Sequence, residues 1–178
     1  MPHWYFRVNA KADSNSRSRS SNPGNVMFDE LPFFLPKENL YMVEPSDARG
    51  INCRFGMMGN TAAGHFDGSR NFVMLFGGER RYILSHPKNC RNLALYPWKH
   101  PSGRHTAVDW SDPDLIEYPE FAKARGNEVV LQAGDVLYLP TQWFHHIISL
   151  DLNWQCNARS GITDHYQDDI SQCGFGKR

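Results

Sequence analysis

His65-Phe66-Asp67 and, in the second half of the chain, His145 within Trp143-Phe144-His145-His146 are the side chains whose types and spacing could do chemistry. In an extended strand residues i and i+2 share a face, so His65 and Asp67 can grip one metal ion together while Phe66 turns away. A third ligand has to come from another element. His145 lies in the strand-like run Phe144-His145-His146-Ile147-Ile148-Ser149-Leu150, and because neighbours in a strand face opposite ways, either it or His146 can point at the same ion, not both. Two imidazoles and one carboxylate leave an open coordination face. That suits Fe(II) chemistry with dioxygen, whereas structural zinc calls for four protein ligands, usually thiolates.

The elements that must hold these ligands read as strands. Segments near 51–58, 62–68, 71–76 and 79–85, then near 128–132, 135–139, 143–150 and 152–160, are strand-like and separated by Gly, Asn or Asp turn signals. Eight strands in two groups of four predict an all-β double-stranded β-helix, or jelly roll, over residues 51–161. The long insertion between strands four and five, 86–127, is polar and proline-rich, with Asp112-Pro113-Asp114 opening a short helix through Tyr118. His86, His100 and His105 lie in it without ligand spacing and are expected in solvated loop. Residues 1–50 read as an N-terminal extension containing a flexible Ser/Arg-rich loop at 11–24, too poor in apolar surface to offset the entropy of ordering. Prolines between 25 and 45 argue against a central strand there. Residues 162–178 form a tail, with one helix expected from Thr163 to Ile170.

Lys plus Arg and Asp plus Glu both total 19, so no net field argues for nucleic acid or membrane. Cys53, Cys90, Cys156 and Cys173 form no CxxC pair and no dense framework, and are expected as free thiols of a reducing compartment. With no leader-like N-terminus and no apolar run of spanning length, an intracellular protein of the cytoplasm or nucleus is expected. Trp143, Phe144 and Trp154 are expected in the core rather than lining a pocket.

Further residues carry a family resemblance over about Ile51 to Ser160. The spacings of Gly59, His65, Asp67, Asn71 and Gly78, and of Gly134, Pro140 and His145, resemble the two cupin motifs. Asp67 stands for the second histidine, Asn71 for the glutamate and Gln142 for a glycine. With Gly78-Glu79-Arg80-Arg81-Tyr82-Ile83-Leu84, Leu95-Tyr96-Pro97, Tyr118-Pro119-Glu120-Phe121 and Trp143-Phe144-His145-His146-Ile147, the chain resembles the JmjC-type (cupin-8) Fe(II)- and 2-oxoglutarate-dependent oxygenases. Within them it is most similar to the asparaginyl hydroxylases acting on hypoxia-inducible factor.

The resemblance implies His65, Asp67 and His145 as iron ligands and 2-oxoglutarate and dioxygen as co-substrates. It also implies a protein side chain as substrate, hydroxylated rather than demethylated. Arg80 falls where the family places the lysine that holds the distal carboxylate of 2-oxoglutarate; Arg159, before Ser160, is the rival anchor. Asn71 and Asn157 match asparagines beside the co-substrate. A family threonine falls at Ala62, with Thr61 one residue off and expected to face away, and Tyr5, Tyr41 and Tyr138 are the candidates for a co-substrate tyrosine. Two other readings stay open: a cupin that binds metal or a small molecule without 2-oxoglutarate turnover, and an RNA-modifying member of the family using a basic patch of Arg80, Arg81, Lys88 and Arg91.

Overall fold

The computed structural model describes residues 3–10, 27–28, 30–35 and 41–176; the Ser/Arg-rich segment expected as a loop lies outside them. All eight expected strands form, as β2 (Ala48–Gly56), β3 (Thr61–Phe66), β4 (Asn71–Gly77), β5 (Arg80–Ser85), β6 (Asn127–Leu131), β7 (Val136–Leu139), β8 (Phe144–Ser149) and β9 (Asn153–Ser160). They pair antiparallel in two sheets, ordered β2-β9-β4-β7 and β3-β8-β5-β6, the topology of a jelly roll. A further strand, β1 (Tyr5–Ala10), extends the first sheet by pairing with β2 from Tyr5↔Gly56 to Ala10↔Ile51. Its first three residues, Tyr5, Phe6 and Arg7, are all exposed and give no alternation of buried and exposed positions from which the sequence could predict it.

Alternation on the paired strands decides what faces the barrel interior. On β4 these are Asn71, Val73 and Leu75, and on β5 Arg80 and Tyr82. On β9, Asn153, Gln155, Asn157 and Arg159 form a polar row two residues apart, while Cys156 and Ala158 on the reverse face join Ile51, Cys53, Phe34 and Met42 in an outer apolar cluster. One end of the barrel is filled by Val73, Leu75, Tyr82, Leu131 and Leu139. A third cluster, around Phe66, Phe144, Trp110, Ile170 and Phe175, seals β3 and β8 against the insertion and the tail. The apolar interior needed for stability is thus supplied at one end and on the outside, which leaves the other end free to be polar.

Three expectations are corrected. Residues 112–118 form turns rather than a helix, and the helical turn comes one step later, as the 3-10 helix Pro119–Lys123 begun by Pro119. The tail helix covers only Gln167–Ser171. None of the four cysteines is a free thiol: Cys53 bonds Cys156, and Cys90 bonds Cys173. The first pair consists of direct cross-strand neighbours on β2 and β9, 103 residues apart in sequence. The second ties the tail to the 3-10 helix Pro87–Asn92. Neither proximity has a local sequence signature.

Candidate metal centre

His65 and His145 are Cα partners across β3 and β8, and their rings lie 4.2 Å apart between centroids. Asp67 follows the end of β3 and turns the same way, while Phe66 packs outward against Phe144 and Phe175. One ligand atom from each of His65, Asp67 and His145 lies within 4.8 Å of the others, so the three side chains converge. His146 faces the other way, its Nε2 3.1 Å from Ser111 Oγ and its ring stacked on Trp110.

Backbone carbonyls fix both tautomers. His65 Nδ1 lies 2.8 Å from Ala63 O and His145 Nδ1 3.0 Å from Trp143 O. A carbonyl only accepts, so each Nδ1 carries the proton and donates, which leaves each Nε2 lone pair for a metal. Burial pushes the His65 imidazole down to about 3, with the neighbouring His145 adding to the effect. Burial likewise lowers His145. Burial alone would raise Asp67, but His145, Arg159, His65 and Arg104 together hold it below the usual carboxylate range. At neutral pH the trio is two neutral imidazoles and one carboxylate, the protonation state a divalent ion requires.

Arg159 Nη2 donates to Asp67 Oδ2 at 2.6 Å, and Asn71 Nδ2 donates to the same oxygen at 3.3 Å. Arg159 therefore sits on the Asp67 carboxylate. Arg80 is at the opposite end of the same cavity, which holds about 210 Å³ and is also lined by Arg54, Tyr82, Asn157 and Tyr5. Only 3 % exposed, Arg80 donates from Nε to Asn153 Oδ1 and interacts with the Tyr82 hydroxyl, but among the described residues no carboxylate lies within ion-pair distance of it. A buried cation without a counter-ion is costly unless an anion joins it.

Several readings change at this point. Thr61 lines the cavity along with Ala62, because the β3–β8 register shifts between Ala62 and His65. Of the three candidate tyrosines only Tyr5 lines the cavity; Tyr41 and Tyr138 pack on Phe72. His105 is not in solvated loop: it bridges to His65 and stacks on its ring at 5.0 Å. His86 is likewise packed, against Trp143 and Tyr166, whereas His100 is exposed beside Tyr96. Arg80 and Arg81 do not share a basic patch, since Arg80 points into the barrel and Arg81 pairs with Glu128 outside it. Phe144 is in the core as expected, while Trp154 stacks on Phe55 and Phe76 on the outer face of its sheet. Arg54 was missed: nothing in Cys53-Arg54-Phe55 marks it, and only the β2–β9 pairing brings it to the cavity.

Gln142, standing where the motif has a glycine, has φ 69° and so occupies the left-handed region at a steric cost. Its backbone N–H donates to Asp67 O at 2.9 Å, so this turn braces the carboxylate segment.

The Cupin-like domain family model matches residues 3–162. The chain is similar to the tRNA wybutosine-synthesizing protein 5 of Gallus gallus, 38 % identical over 95 residues that cover 53 % of this chain and 28 % of that protein. It is similar to the lysine-specific demethylase 8 of Danio rerio, 33 % identical over 136 residues covering 72 % and 32 % of the two chains. With the lysine-specific demethylase JMJ31 of Arabidopsis thaliana it shares 24 % identity over 181 residues, 89 % of this chain and 33 % of that one. The chain thus spans about a third or less of the length of these relatives. With the family model running through every strand of both sheets and through the converging His65, Asp67 and His145, the chain belongs to the Cupin-like domain (cupin-8) family.

Proposed function

We propose that this domain is an Fe(II)- and 2-oxoglutarate-dependent oxygenase that hydroxylates a protein side chain. The observation that carries the reading is the pairing, within one cavity, of a His-Asp-His donor set with a buried arginine that has no carboxylate partner. The donor set fits Fe(II): two imidazole nitrogens already stripped of protons and one carboxylate, on one side of an open space. In this reading His65, Asp67 and His145 hold the metal, and Arg80 receives the distal carboxylate of 2-oxoglutarate. When bound, iron and 2-oxoglutarate supply the oxidising power of dioxygen for hydroxylation of a C–H bond.

The chain's own side chains do the rest. Arg80 neutralises and orients a carboxylate as a planar fork of donors, which a lysine could do only as a point charge. Arg159 keeps Asp67 ionised and fixed in place. The carbonyls of Ala63 and Trp143 hold the two rings in their ligating tautomers. The apolar fill behind Tyr82 excludes water from the closed end, where a charge-assisted bond is strongest. The strings Gly78-Glu79-Arg80-Arg81 and Trp143-Phe144-His145-His146 support a narrower affiliation, to the asparaginyl hydroxylases.

Anaerobic titration of the protein with Fe(II) and 2-oxoglutarate tests this. A visible charge-transfer band that needs both components is expected, and, once air is admitted, slow succinate formation that Asp67→Ala abolishes. Absence of both the band and the succinate would leave a cupin that binds without turnover.

A second reading has one observation in its favour. A groove of about 360 Å³ beside the candidate metal centre is lined by Arg7, Arg49, Arg104 and Arg159, and among the described residues its only acidic side chain is Asp67. Such a groove suits a polyanion, and one relative is named for tRNA wybutosine synthesis. Single-stranded RNA binding that falls steeply with salt, and that is lost in Arg7→Ala/Arg49→Ala, would move the substrate from protein to RNA.

A further inference from the structure

A line of side-chain hydrogen bonds runs along one sheet, from β2 through β9 and β4, to the Asp67 carboxylate. Arg54 Nη1 donates to Asn157 Oδ1 at 2.5 Å, Asn157 Nδ2 donates to Asn71 Oδ1 at 2.8 Å, and Asn71 Nδ2 donates to Asp67 Oδ2 at 3.3 Å. The two ends of this line have fixed polarity. A guanidinium can only donate and an ionised carboxylate can only accept, whereas each amide between them can be turned either way. Arg54 therefore sets the sense of the line from the β2 end, drawing the Asn157 oxygen towards itself and turning the Asn157 amino group onto Asn71, in the same sense that the Asp67 carboxylate demands at the other end. Asn71 then has its own amino group left for Asp67.

Burial makes this choice consequential. Asn157 is 0 % and Asn71 3 % exposed, so bulk solvent does not compete for these amides and a reversed orientation would leave its partners to the cavity alone. With Asn71 reversed, its carbonyl oxygen would face the Asp67 carboxylate, an acceptor against an anion. Arg159, the cross-strand partner of Asn71, also donates to Asp67 Oδ2, but among the described residues no hydrogen bond joins it to either amide. Among the described residues Arg54 has no carboxylate partner, so nothing competes with Asn157 for its charge.

We infer that Arg54 is a positioning residue: acting through Asn157 and Asn71, it sets the orientation in which Asp67 presents its carboxylate to a metal ion. The inference rests on the reading of His65, Asp67 and His145 as the metal site. It concerns the protein before any co-substrate enters.

The test is calorimetric titration of the full metal-free chain with Co(II), in the absence of 2-oxoglutarate, with thermal unfolding as the control for folding. Arg54→Met keeps the aliphatic stem and removes every donor. It is expected to weaken Co(II) binding by about 10-fold or more, the scale of losses when groups that orient metal ligands are removed. Asn157→Leu should weaken it to a similar extent, and the double variant no further, because both changes cut the same line. Arg54→Lys, which still donates, should recover most of the affinity, and so keeps the test open if Arg54→Met fails to fold. Additive losses in the double variant would overturn the inference. So would unchanged Co(II) affinity in Arg54→Met with weakened 2-oxoglutarate binding, which would make Arg54 a direct co-substrate contact. A wild type that binds no Co(II) would overturn the metal-site reading, and this inference with it.

Discussion

Replacing Arg80 by methionine should lower affinity for 2-oxoglutarate steeply while leaving the fold about as stable as before. The contrast follows from the surroundings of the guanidinium: it is 3 % exposed, hydrogen-bonded to Asn153 Oδ1, and without a carboxylate partner among the described residues. Truncating one partner of a buried, hydrogen-bonded charge pair costs about 2–5 kcal/mol of binding. At about 1.4 kcal/mol per decade this is a loss between about 30-fold and several thousand-fold.

For the ligand-free fold the balance differs. Methionine retains most of the apolar stem, and exchange of a buried charge for an apolar side chain is often neutral or stabilising by about 1–4 kcal/mol. Against this, Asn153 Oδ1 loses its donor inside the barrel, at a cost of about 1–3 kcal/mol. The net change should stay within about 3 kcal/mol, or about 12 °C in melting temperature for a chain of this size. Calorimetric titration of 2-oxoglutarate into Co(II)-loaded protein measures the first quantity and thermal unfolding without ligand the second. A variant that melts more than about 15 °C lower would show Arg80 to be structural. Full retention of 2-oxoglutarate affinity would pass the anchoring role to Arg159 or Arg54.

Acid should destabilise the metal-free domain as pH falls from 6.5 towards 3, because His65 and His145 have folded-state values below 6.5 and the unfolded chain takes up protons that the folded one refuses. Asp67, also depressed, adds in the same direction below 3.8; a melting temperature flat across this range would contradict the burial of the three groups. Gly64→Ala should loosen the insertion, since a Cβ there would lie 2.5 Å from Trp110 Nε1 and 2.7 Å from Thr106 Oγ1, at a cost of about 1–3 kcal/mol visible as a lower melting temperature. Reductant should lower the melting temperature of the wild type by releasing the Cys53–Cys156 and Cys90–Cys173 bonds, each worth about 2–5 kcal/mol, and should have a smaller effect on Cys90→Ser/Cys173→Ser. Equal melting with and without reductant would mean that the pairs contribute nothing.

Whatever neighbours in the chain govern is legible in the order of residues alone. Alternation over i and i+2 brings His65 and Asp67 to one side of β3 and separates His145 from His146, and the turn glycines delimit the eight strands of the jelly roll. Gly59, Gly78 and Gly134 all adopt the positive φ that such turns require.

Tertiary structure decided whatever depends on which strands lie side by side. The β2–β9 pairing carries Arg54 to the cavity and closes Cys53 onto Cys156 across a gap of 103 residues. The β9–β4 pairing sets Asn157 and Arg159 beside Asn71, and so surrounds the Asp67 carboxylate with donors. The fold of the insertion lays His105 on His65 and draws the tail to Cys90. β1 has no buried face of its own to advertise it; its hydrogen bonds come from the open edge of β2. A residue's alternation is encoded by the two or three residues around it. Its partner across a sheet is fixed only when the register of segments a hundred residues apart has been settled by the packing of the whole barrel.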